Sequence, residues 1–157
     1  MLRNLKKLLP EIEILVLVFV LAGCTSSLDI RQPLFTISEP VYMSHEENSA
    51  CAFGGVYFDF YNKSASDVVY LETRMNVYDG ESGKPAFAGQ GTIITGSECL
   101  VESGLGHNFC ISLDPYISRI TETGYIIDQF YISRVDYSDG KVWKDEFGLY
   151  AVTGRRK

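Results

Sequence analysis

Val68-Val69-Tyr70-Leu71-Glu72-Thr73-Arg74-Met75-Asn76-Val77-Tyr78 is the longest clean alternation in the chain. Val69, Leu71, Thr73, Met75 and Val77 point one way, and Tyr70, Glu72, Arg74, Asn76 and Tyr78 the other. Successive side chains leave an extended backbone on opposite faces, so the stretch predicts a strand with one face in a core and the other wet. The segment just before it, Phe53 to Tyr61, repeats the pattern: Val56, Phe58 and Phe60 share one face, and Tyr57, Asp59 and Tyr61 the other. Between the two, Asn62-Lys63-Ser64-Ala65-Ser66-Asp67 is turn chemistry, because short polar side chains there satisfy local backbone groups.

Working outward, a first strand is expected from Leu34 to Met43, with Pro40 marking an edge or a bend because it cannot donate to a ladder. A polar loop follows over Ser44 to Ala50. Asp79-Gly80-Glu81-Ser82-Gly83 turns the chain into a Gly-interrupted strand from Pro85 to Thr95, and a loop is expected from Cys99 to Gly106. Asn108 to Leu113 reads as a strand, Asp114-Pro115-Tyr116 as the start of a crossover, and Ile117 to Thr121 as one short helical turn. Gly124 to Tyr137 and Lys141 to Tyr150 form a hairpin about Asp139-Gly140, a strong turn signal between alternating apolar runs. A two-residue loop there sets Asp136 opposite Trp143, Arg134 opposite Asp145 and Ile132 opposite Phe147. Phe130, Ile132, Phe147 and Leu149 then face the core, and a bulge must switch faces nearer the turn. About seven strands with turns every 8 to 12 residues predict an all-β, immunoglobulin-like or fibronectin III-like antiparallel sandwich, with a small closed β-barrel as the alternative.

Two segments carry a resemblance of their own. An Asn-x-Ser turn after an aromatic strand within Val56 to Tyr78, and the Tyr137-Ser138-Asp139-Gly140-x-x-Trp143 hairpin within Tyr125 to Trp143, resemble small bacterial extracytoplasmic immunoglobulin-like domains.

The amino-terminal stretch is of a different kind. Arg3, Lys6 and Lys7 precede an apolar run from Ile14 to Ala22 that closes on Leu21-Ala22-Gly23-Cys24, with Pro10, Glu11 and Glu13 between. Nine apolar residues are too few for a membrane span, which takes about 20. Leu-Ala-Gly-Cys in this position resembles the lipobox of bacterial lipoproteins. The resemblance implies a diacylglycerol on the Cys24 thiol, cleavage before Cys24 and acylation of the new amino terminus. Thr25 and Ser26 stand where an Asp would imply inner-membrane retention, so it points to the outer membrane. The expected organisation is a signal peptide over 1–23, a flexible tether over 24–32, a sandwich over 33–151 and a basic tail over 152–157 ending in Arg155-Arg156-Lys157.

Cleavage leaves 134 residues with 11 basic and 18 acidic side chains, a formal charge of -7. One domain of that size buries about two thirds of its unfolded surface, and its charge argues against nucleic acid. Outside the reducing cytosol, Cys51, Cys99 and Cys110 permit one bridge and leave one thiol over. Cys99 with Cys110, closing the loop around Gly104, is the first expectation, Cys51 with Cys110 the second, and three free, buried thiols the remaining reading. The connectivity is not readable from spacing.

The chain offers little catalytic material. No phosphate-cradling glycine loop and no nucleophile elbow occur, and no cofactor motif is present. His45 and His107 are the two histidines. Cys110 lies three residues from His107, which on a strand places the pair on opposite faces. His45-Glu46-Glu47 falls short of a zinc ligand set, and Asp136, Asp139, Asp145 and Glu146 follow no calcium-loop spacing. The outward tyrosines Tyr57, Tyr61, Tyr70 and Tyr78 are the candidate binding surface, an aromatic strip able to stack sugar rings or meet a protein. Ordinary cross-strand pairing is the simpler account of them. The expectation is a non-enzymatic, lipid-anchored binding or assembly module of the cell envelope, held to the membrane through Cys24 and meeting an envelope protein or glycan. A β-barrel carrier of a small apolar or sugar ligand, and an envelope hydrolase using His107 or clustered carboxylates, are the alternatives.

Overall fold

Eight strands run in chain order: β1 (Phe35–Ile37), β2 (Val41–Ser44), β3 (Gly54–Asn62), β4 (Val68–Asp79), β5 (Thr92–Val101), β6 (Gly106–Ser112), β7 (Tyr125–Tyr137) and β8 (Val142–Lys144). They are seen in a computed structural model that describes residues 32–87 and 91–154. The expected signal peptide over 1–23, Cys24, nearly all of the expected tether and Arg155-Arg156-Lys157 lie outside the described residues.

All pairings are antiparallel and fall into two sheets. β1 and β2 are collinear halves of one strand along the same edge of β3: Ile37 pairs with Phe60 and Val41 with Tyr57. The break between them holds Pro40, the interruption its missing N–H predicts. β6 lies on the other edge of β3. The second sheet is ordered β5-β4-β7-β8. Counting β1 and β2 as one, seven strands form a fibronectin III-like sandwich, three strands facing four, and among the described residues no ladder closes the sheets into a barrel.

The core lies between the sheets. Val56, Phe58 and Phe60 of β3 face Leu71, Met75 and Val77 of β4, Phe130, Ile132 and Val135 of β7, and Trp143 of β8, all buried. Aromatic rings bridge the layers: Phe35 meets Trp143 edge-on at 4.9 Å, and Phe58 meets Phe130 at 4.8 Å. Tyr125, at the start of β7, donates its hydroxyl to the Arg119 carbonyl at 2.9 Å. This is the tyrosine corner of Greek-key sandwiches, and it pins the crossover from β6 to β7.

Four expectations are corrected. The hairpin at Gly140 has a three-residue loop, not two. The Gly140 N–H donates to the Tyr137 carbonyl, the Tyr137 N–H donates to the Lys141 carbonyl, and Gly140 sits at φ 83°. That is a type I turn closed by a glycine in the left-handed region. The register therefore shifts by one, pairing Val135 with Trp143 and Asp136 with Val142. Trp143 turns inward, while Phe147 and Leu149 are 76% and 58% exposed instead of in the core. The face-switching bulge does occur, at Ser133, where Glu72 pairs with Arg134 and Thr73 with Ile132.

Second, the returning strand stops at Lys144, because buried Asp145 takes over the chain. Its carboxylate accepts the N–H groups of Phe147 and Tyr150 and folds residues 145–150 into a turn. Third, the strand expected from Pro85 to Thr95 runs from Thr92 to Val101, and residues 88–90 lie outside the described residues. Gly96-Ser97-Glu98 reads as a turn by composition. As an edge strand it needs only backbone pairing, and the Tyr70 ring lies over Gly96, where an added Cβ would sit 2.1 Å from the Tyr70 oxygen. Fourth, the helical turn expected over Ile117 to Thr121 is a hydrogen-bonded turn one step earlier, with the Ile117 N–H on the Leu113 carbonyl.

Candidate functional site

Three connections gather at one end of the sandwich: 45–53 between β2 and β3, the described residues 80–87 between β4 and β5, and 113–124 between β6 and β7. They frame an open groove of about 850 Å³. Tyr42 of β2 and Tyr125 of β7 stand at its base, their rings 5.3 Å apart and nearly perpendicular. Burial raises the hydroxyl pKa of both, that of Tyr42 to about 12, so both stay neutral, and they donate to the Phe53 carbonyl at 3.3 Å and the Arg119 carbonyl at 2.9 Å. Glu46 and Glu47 line one wall, Thr121, Glu122 and Thr123 the other. Among the described residues no Lys or Arg lines the groove, and its two walls carry glutamates, so its field is negative. Tyr125 also borders a neighbouring hollow of about 430 Å³, where Arg119 pairs with Asp79 at 3.0 Å.

Two of the three connections are tied down by a short acidic residue. Asp114, past the end of β6, accepts the Ala52 N–H at 2.7 Å and the Phe53 N–H at 2.8 Å, fastening the 45–53 loop. His45 Nδ1 is 2.8 Å from the Cys51 carbonyl within that loop. Asp79 accepts the N–H groups of Ser82 and Glu81 and so caps the next turn. The Phe53 and Ala52 N–H groups hold the Asp114 carboxyl below its ordinary range, and the Ser82 N–H chiefly does so for Asp79. At the far end Asp139, held by Lys141 and then by Ser66, is lowered to about 2.

These carboxylates bind protons more weakly in the folded chain than in the unfolded one. The stability they contribute is therefore complete above about pH 4 and is lost as pH falls through the folded values towards about 2. Urea midpoints measured between about pH 6 and about pH 2 are expected to drop below about pH 4, and Asp114→Asn to lower the midpoint at neutral pH and flatten that drop. A midpoint independent of pH over this range would contradict the assignment.

The residues singled out from sequence do not converge. Tyr57 and Tyr61 lie on the outer face of the three-stranded sheet, Tyr70 and Tyr78 on the outer face of the other. The four form no single strip, because parity along a strand says nothing about which sheet the strand joins. Tyr57 is buried, whereas Tyr61 is 45% exposed. Tyr70 packs over Gly96 and under the Arg134 guanidinium, 5.6 Å from its ring centre, the cross-strand role that was the simpler account. His107 is exposed on β6 with its ring edge-on to Phe109 at 4.7 Å.

Among the described residues no group of three or more His, Cys, Asp or Glu side chains is placed to hold a metal. Asp136 pairs with Arg134 at 2.6 Å, Asp139 with Lys141 at 2.6 Å, and Asp145 serves its turn. Cys99 sits on β5 and packs partly against the core, while Cys110 sits on the outward face of β6. The fold thus brings Cys51, not Cys99, against Cys110, with the sulfurs 3.6 Å apart. The groove itself was not legible in the sequence, since its walls are loops joined only by the sheet crossings. The one local signal is Gly124-Tyr125, a tyrosine placed to open a strand after a crossover. No protein-family model, no curated protein and no solved structure matches this chain.

Proposed function

We propose that this is a lipid-anchored lipoprotein of the cell envelope, in the outer membrane, whose sandwich is a non-catalytic binding or assembly module. The observation that carries the reading is Leu21-Ala22-Gly23-Cys24 at the end of an apolar run, with the first strand opening only eleven residues after Cys24. Two or three acyl chains at that cysteine hold a protein firmly on a bilayer, since each buried methylene contributes about 0.8 kcal/mol. The intervening residues reach at most roughly 35 Å when extended, so the domain works close to the membrane surface.

The groove at Tyr42 and Tyr125 is the surface through which it meets a partner. Aromatic rings at the base and glutamates on both walls suit a basic or hydroxyl-rich partner, an envelope protein segment or a glycan. The barrel-carrier alternative has lost its architecture, because aromatic side chains fill the space between two separate sheets.

A photoreactive residue at Glu122, on the groove wall, is expected to give a discrete higher-mass adduct in intact cells, and one at Lys141, at the opposite end, to give none. Equal adducts from both positions, or none from Glu122, would contradict the reading.

A further inference from the structure

Cys51 and Cys110 come from positions 59 residues apart, yet their sulfurs lie 3.6 Å from each other. A disulfide brings sulfurs to about 2.05 Å, so closing the pair takes a shift of roughly 1.5 Å at the side-chain tips. The backbone is arranged for this approach. Gly55 lies beneath both sulfurs, and a Cβ there would stand 2.9 Å from the sulfur of Cys51 and 3.0 Å from that of Cys110. Any larger residue at position 55 would force the sulfurs away. The loop carrying Cys51 is held by Asp114 on one side and His45 on the other, so that sulfur does not wander. Tyr57, directly opposite Cys110 in the ladder, is buried and closes the site from the sheet side.

We infer that Cys51 and Cys110 are a disulfide pair, formed by exchange with an external disulfide wherever the chain meets an oxidising medium. The inference does not rest on the anchor at Cys24 or on a partner at the groove. The two thiols are unequal: Cys110 is exposed on an edge strand, whereas Cys51 is buried. The Cys110 thiolate attacks the external disulfide, forming a mixed disulfide and expelling one thiolate. The Cys51 thiolate then attacks the Cys110 sulfur, forming the internal bond and expelling the second. Two electrons pass from the protein pair to the external disulfide, and the protons of the two cysteines end on the two released thiols. Among the described cysteines Cys99, on the other sheet and turned partly towards the core, is the thiol left over. Once formed, the bond fastens the 45–53 loop to β6, and with it one wall of the groove.

The test uses the full-length protein in detergent, reduced and then equilibrated with oxidised and reduced glutathione, alkylated and digested without reduction. Trypsin alone leaves Cys99 and Cys110 on one peptide, so a glutamate-specific protease is added to cut after Glu102. The expected product is a Cys51–Cys110 linked peptide, two hydrogens lighter than its parts, with Cys99 alkylated. Cys99→Ser keeps that bond, and Cys51→Ser accumulates glutathione on Cys110 because nothing resolves the mixed disulfide. The bonded form melts roughly 10 °C above the reduced form, as expected for a cross-link closing a loop of this length. Alkylation of Cys51, Cys99 and Cys110 alike after oxidation, a bridge that includes Cys99, or a stable glutathione adduct on Cys110 of the unmutated protein would overturn the pairing.

Discussion

Asn62→Ala is expected to destabilise the domain by roughly 3 kcal/mol, measured as a fall in urea midpoint at unchanged slope. Asn62 is fully buried at the end of β3, on the inward face that Val56, Phe58 and Phe60 begin. Its side-chain amide donates to the Ser66 carbonyl at 2.9 Å and to the Val101 carbonyl at 3.0 Å. Its side-chain oxygen accepts the Ser64 N–H at 3.0 Å and the Ser64 hydroxyl at 2.7 Å. One side chain thus satisfies groups from the β3–β4 turn and from β5 on the opposite sheet. Alanine fills neither the space nor the valences, and a buried polar group left unpaired costs about 1 to 3 kcal/mol. Asn62→Asp is expected to be at least as damaging, since it removes both donors and brings a negative charge against two carbonyls. An Asn62→Ala midpoint within error of the unmutated protein would show that the network is replaceable by water.

Phe60→Ala, two residues earlier on the same face, should cost about 3 to 5 kcal/mol by loss of transfer energy and creation of a cavity. Phe60 is 0% exposed, stacks on Phe35 at 5.1 Å and meets Phe109 edge-on at 6.1 Å. It therefore ties β1, β3 and β6 together across the whole three-stranded sheet. Phe60→Leu keeps most of the volume and is expected to cost under about 1.5 kcal/mol. The contrast between the two substitutions separates cavity formation from loss of an aromatic contact. Equal effects would contradict the packing account.

The parts of this fold legible in the sequence are those where a strand has one wet and one dry face. β3 and β4 alternate cleanly, and every inward residue expected on β4 from Leu71 onward is buried. The exception is local: a bulge between Val68 and Tyr70 turns Val68 inward and Val69 out. Elsewhere the information was not local. The hairpin dipeptide Asp139-Gly140 announces a turn, but whether two or three residues form the loop depends on Ser138, whose N–H bonds to the Asp67 carbonyl on a different connection. That one-residue difference set Trp143 opposite Val135 in the core, and the end of the strand at Lys144 left Phe147 outside it. β5 was displaced for a similar reason. An edge strand can be polar and glycine-bearing, so its composition resembles a loop. The sulfur pairing depended on which sheet each strand joins, which periodicity does not carry.

The groove was the least legible feature. Tyr42, Glu46, Glu122 and Tyr125 are spread over more than 80 positions and meet only because the β6–β7 crossover returns beside the end of β2. The lipobox-like stretch Leu21-Ala22-Gly23-Cys24 is the opposite case, a contiguous pattern that needs no fold to be read.

The central claim is that Cys24 carries lipid and holds this sandwich on a membrane of the envelope. Cells fed an alkyne analogue of palmitate, with the protein immunopurified and clicked to a fluorophore, test it most directly. The account predicts a labelled band in the outer-membrane fraction for the unmutated protein, and an unlabelled band absent from that fraction for Cys24→Ser. An unlabelled protein that retains residues 1–23 and stays in the cytoplasm would contradict it.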